Sequence, residues 1–88
     1  MTSQSLNFHQ TRSLWRDLTG GWSSVNIELE EAGETESLDK QHGNDMMTYV
    51  DTESFVSASY ETTGKGWSKR QTLIVETLSW TMTLIKSH

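Results

Sequence analysis

The sequence predicts an α+β fold, with an N-terminal helix packed on one face of a four- to five-stranded antiparallel sheet. Three patterns lead there: an apolar stripe at helical spacing over residues 5–19, strict alternation over 22–30, and later runs rich in Thr, Val, Ile, Tyr and Trp divided by a glycine turn. A mainly β barrel or sandwich completed by a homodimer is the alternative. All 88 residues are expected in a single domain.

In the segment 5–19, Leu14, Trp15 and Leu18 share a face, and Phe8 lies two turns earlier on the same side. Ser5 is placed to cap the start and Gly20 to end the helix. Residues 22–30 put Val25, Ile27 and Leu29 on one side and Ser24, Asn26, Glu28 and Glu30 on the other, the period of a strand with one wet face. Residues 31–45 hold Leu38 as their one large aliphatic residue before the terminal Asp and are expected to form a long polar, disordered loop. "MMTYVDT" and "SFVSASYET" then predict two strands, with Asp51–Ser54 as a tight connection.

The last segment, "QTLIVETLSWTMTLIKSH", is ambiguous. Ile74, Leu78, Trp80, Met82 and Leu84 occupy alternate positions, while Ile74, Leu78, Met82 and Ile85 also make a helical stripe. Its threonines and β-branched residues favour one long strand, bent or bulged near Glu76. The expected core joins Phe8, Leu14, Trp15 and Leu18 to Val25, Ile27, Leu29, Ile74, Leu78, Trp80 and Met82.

Composition narrows the function classes. Leu, Ile, Val and Phe number only 17 and Ser plus Thr number 24, so a partner surface, such as that of a second copy, is expected to complete the core. A net charge of −5 argues against nucleic-acid binding. No cysteine is present, which removes disulfides and thiolate metal sites and favours the cytoplasm. The N-terminal segment has no basic start and no apolar run, so neither a signal peptide nor a membrane association is expected.

Chemistry-bearing motifs are sparse. Glu28, Glu30, Glu31, Glu34, Glu36 and Asp39 make an acidic run, whereas Lys65, Lys69 and Arg70 surround Trp67 in "ETTGKGWSKRQ". A solvated turn is the plain reading of that stretch. The functional reading makes Lys65, Trp67, Lys69 and Arg70 a docking patch, since Trp and Arg are frequent anchors at protein interfaces. A third reading pairs the turn with the acidic run of another copy. "TGKG" lacks the spacing of a phosphate-binding loop. His42 with Asp39 and Asp45 is the nearest approach to a metal site, but a polar loop would hold it poorly, so no metal and no cofactor are expected. No nucleophile elbow occurs, and the protein is expected not to be an enzyme.

"TGGWSS" carries one resemblance. A helix followed by Gly20-x-Trp22 at the start of a strand resembles the G-x-W opening of lipocalin-like β-barrels. The resemblance implies a tryptophan sealing a barrel end and a carrier of small apolar ligands, with Trp22 and Trp80 as its ligand-binding residues. Such barrels have about eight strands, so two copies would have to share one. The expected function is a non-catalytic interaction module, an adaptor or inhibitor that docks on another protein through the Trp67 turn and an exposed sheet edge. The ligand carrier is the alternative.

Overall fold

The computed structural model describes residues 2–20 and 25–87. Six strands form one open antiparallel sheet: β1 (Thr2–Leu6), β2 (Val25–Glu31), β3 (Glu34–Leu38), β4 (Phe55–Thr63), β5 (Arg70–Thr77) and β6 (Trp80–Ser87). Their spatial order is β1-β4-β5-β6-β2-β3. Helices α1 (Phe8–Thr19) and α2 (Lys40–Thr48) pack into one core with the sheet. The α+β class is as expected, with one helix and at least one strand more than the sequence suggested.

The core follows from strand register. Ala58, Val75, Met82 and Leu29 lie side by side across β4, β5, β6 and β2. Tyr60, Leu73, Leu84, Ile27 and Leu38 form the next row on the same face. Trp15 and Leu18 from α1 and Met47 from α2 close over these rows, and Val50 joins them. Phe8, Leu14, Val25 and Trp80 pack against this cluster from its margin.

The expected single strand at the C-terminus is a hairpin. Its connection is Leu78–Ser79, and the pairs Leu73↔Leu84 and Val75↔Met82 match odd-numbered residues with even-numbered ones. The apolar phase therefore switches across the turn. Ile74 falls on the opposite face between Ser59 and Thr83, and Leu78, at the turn, is 75% exposed. Both leave the expected core, and Leu73 and Val75 replace them at 0% exposure. Thr77 holds the turn: its Oγ1 accepts from the backbone N–H of Trp80 at 3.1 Å and donates to the Trp80 carbonyl at 2.8 Å. The break thus falls two residues beyond Glu76.

The helix starts later than Ser5, which lies in β1 opposite Ser59. Asn7 caps α1, accepting from the Gln10 N–H at 2.9 Å while the Gln10 side chain accepts from the Asn7 N–H at 2.9 Å. Such a reciprocal box satisfies two donors that a helix start otherwise leaves unpaired.

The loop expected at 31–45 is ordered structure. Ala32 and Gly33 both have positive φ, 54° and 83°, the signature of the two-residue turn that matches strand twist. After β3, Asp39 caps α2 by accepting from the His42 N–H at 2.8 Å, and this bond holds its carboxyl below the usual range. Residues 46–48, expected to begin a strand, instead end this helix. Gly43, Met47 and Val50 lie at i, i+4 and i+7 and are buried. Gly43 is where α2 meets β2: an added Cβ would collide with the Ile27 Cδ1. Asp51 then forms a turn, its Oδ1 accepting from Ser54 N–H at 2.9 Å, but it connects helix to strand rather than strand to strand.

Two stability outcomes follow. Ala32→Asn relieves a left-handed conformation that an alanine tolerates poorly and raises stability by about 0.5–1 kcal/mol, read as a higher Tm. Gly43→Ala lowers it by about 1–3 kcal/mol in denaturant unfolding despite the better helix propensity of alanine, because the added methyl overpacks against buried Ile27.

Candidate protein-binding surface

Residues 64–69 join β4 to β5 beyond the final pair Thr63↔Arg70. The chain reverses through Gly64 at φ +78°, where an added Cβ would run into the Ser68 carbonyl oxygen. Gly66, at φ +56°, then opens a single 3₁₀ turn, closed by Ser68 N–H donating to the Lys65 carbonyl at 3.0 Å. Only glycine takes both positions without cost. The turn is thus a shaped presentation of its apex residue, Trp67, which is 92% exposed.

The four residues expected to dock occupy this turn and the first position of β5. Lys65 and Arg70 are exposed and Lys69 is half-buried. Among the described residues, none of the three cations makes an ion pair. Arg70 lies on the sheet face away from the helices, in register with Ser87.

The sheet has two free edges. Strand β3 presents Glu34 and Glu36, charges that discourage strand addition. Strand β1, "TSQSL", has neither charge nor proline. Its Thr2 pairs with Thr62, so the unguarded edge begins beside the Trp67 turn. Beneath that edge runs a groove of about 480 Å³, where Leu6 and Tyr60 of the sheet face Leu14 and Asp17 of α1. Sequence reasoning missed this strand because the helical stripe absorbed residues 5 and 6. The alternation of Thr2, Gln4 and Leu6 with Ser3 and Ser5 was its only trace.

Trp22 lies outside the described residues, and Trp80 is half-buried on the helix side of β6, packed against the core. The chain's own sheet is open and has six strands, fewer than the about eight of a lipocalin-like barrel. Among the described residues no group of three His, Asp or Glu side chains could hold a metal ion. Asp39 and His42 meet at 2.9 Å as part of the α2 cap.

Comparison with protein-family models, with curated proteins and with solved structures finds no match. Among the described residues, no helix is long and apolar enough to cross a membrane.

The contrast between two tryptophans is directly measurable. Trp67→Ala changes Tm by less than about 2 °C, as expected for a surface position. Trp15→Ala, at 2% exposure, costs about 3–5 kcal/mol in urea unfolding.

Proposed function

We propose that the protein is a non-catalytic interaction module that binds another protein through the Trp67 turn and the adjoining edge of β1. The observation that carries this reading is a tryptophan 92% exposed on a turn whose glycines fix its shape. An indole left wet at the apex of a turn with a shaped backbone is available for a partner to cover, which suits an anchor residue. Lys65, Lys69 and Arg70 orient a partner whose pocket for the indole has an acidic rim. A partner segment added to β1 gains main-chain hydrogen bonds and sets alternate side chains over the Leu6–Tyr60 groove. Binding acts by occupancy, blocking or bridging the partner. The lack of cysteine favours the cytoplasm as its location.

A second copy is the other occupant of the β1 edge. Two such edges pair antiparallel about a two-fold axis, making one sheet continuous across a homodimer. The uncharged, proline-free β1 favours this reading.

Trp67→Ala combined with Lys69→Ala is expected to abolish capture of the native partner in a tagged pull-down while Tm stays within about 2 °C of wild type. Undiminished capture by this variant would reject the turn as the contact. Ser5→Lys is expected to convert a homodimer to monomer in sedimentation equilibrium, and a monomeric wild type across the concentration range would dismiss the homodimer.

A further inference from the structure

We propose that the cleft between α1 and α2 is a separate binding site, for a small carboxylate carried on an aromatic or compact aliphatic body. The cleft, of about 210 Å³, is lined by Arg12, Trp15, Arg16 and Thr19 of α1 and by Asn44 and Met47 of α2, among others. Arg12 and Arg16 lie one helical turn apart, so their guanidinium groups repel each other unless an anion sits between them. Among the described residues neither makes an ion pair, and neither Asp17 nor Asp45 lines the cleft.

Donors dominate the polar groups of the cleft. The Trp15 indole N–H, which can only donate, meets Asn44 Oδ1 at 3.0 Å. That bond fixes which way the amide points, leaving the Asn44 NH₂ as a donor. Thr19 donates its hydroxyl to the Trp15 carbonyl at 2.7 Å, so its one proton is committed. Arg12 has its guanidinium carbon 5.6 Å from the centre of the Phe8 ring, which limits its freedom and leaves its N–H edges available. The free donors are therefore two guanidinium forks and an amide, above a floor made by Trp15 and Met47. The charged donors outweigh the neutral hydroxyl oxygens of Thr19 and Thr48, which favours an anion, and the planar forks suit a carboxylate. The apolar atoms of Trp15 and Met47 at the base of the cleft suit an anion that carries an apolar body, and the volume restricts that body to about one ring. Trp15 supplies both the floor and the bond that orients Asn44. This site shares no residue with the Trp67 turn and does not depend on its function.

The test is a titration of the full chain with benzoate, followed by ¹⁵N–¹H spectra and reading the Trp15 indole N–H, assigned from its loss in Trp15→Phe. Benzoate at millimolar concentration is expected to shift the Trp15 indole and Asn44 side-chain signals saturably, while benzamide, equal in size but neutral, leaves them in place. Arg12→Gln with Arg16→Gln is expected to weaken benzoate binding by about tenfold or more while the unliganded Trp15 indole signal keeps its position, which shows the cleft intact. Absence of a saturable shift, equal response to benzamide, or unchanged affinity in the double variant would overturn the proposal. Inorganic phosphate producing the same shifts at the same concentration would also overturn it, since the site would then accept a bare anion.

Discussion

The whole molecule depends on two cross-strand contacts at the centre of the sheet, Leu73 against Leu84 and Val75 against Met82. All four side chains are fully excluded from solvent, and the flanking strands can extend the apolar rows only in this register. A shift of one residue would turn Leu73 and Val75 outward and bring Ile74 with Thr72 and Glu76 inward. With so few large aliphatic residues in the chain, no second apolar set exists to rescue such a slip. The two-residue turn between β5 and β6 and the Thr77 bonds that shape it therefore act on the fold as a whole.

One consequence is a sheet covered on one side only. Both helices share the core face, so the other face meets water and carries Ser57, Ser59, Thr72, Thr81, Thr83 and Ser87, with glutamates and the isoleucines Ile74 and Ile85 among them. This arrangement gives the abundant serine and threonine a place: hydroxyl-bearing, β-branched threonines suit a strand whose outward side chains stay hydrated. It also leaves the sheet's edges as its unsatisfied feature, and the two edges differ. The β3 edge carries carboxylates, whereas the β1 edge offers bare backbone next to a groove.

The two proposed surfaces use aromatic side chains in opposite ways. Trp67 stays outside; covering a tryptophan fully is worth about 4 kcal/mol by its area, a substantial contribution for a domain of this size to forgo. Trp15 is inside, yet its one polar atom reaches Asn44 between the helices and links core packing to the chemistry of the cleft. The first surface rests on backbone geometry set by glycines. The second rests on unpaired cations held over an apolar floor.

How far the sequence could be read depended on the range of the interactions involved. Alternation fixed β2 and its buried Ile27 and Leu29, and the stripe of Leu14, Trp15 and Leu18 fixed α1, because each pattern is internal to one element. The exposure of Trp67 was legible for the same reason: glycines and charges crowd its immediate neighbours. By contrast, β1 is a strand because β4 offers it a partner 56 or so residues away, and nothing within "TSQSL" outweighs the helix beside it. Residues 40–48 resembled a loop and a strand because their apolar face needs Gly43 to let α2 approach Ile27, a contact invisible along the chain. Local periodicity thus determined which side chains of an element belong together. Only tertiary pairing decided where the last segment turns, which face of β5 is buried, and that two arginines and an asparagine from different helices meet at one cleft. Those outcomes are set by register and packing between segments distant in sequence, where no local pattern carries the information.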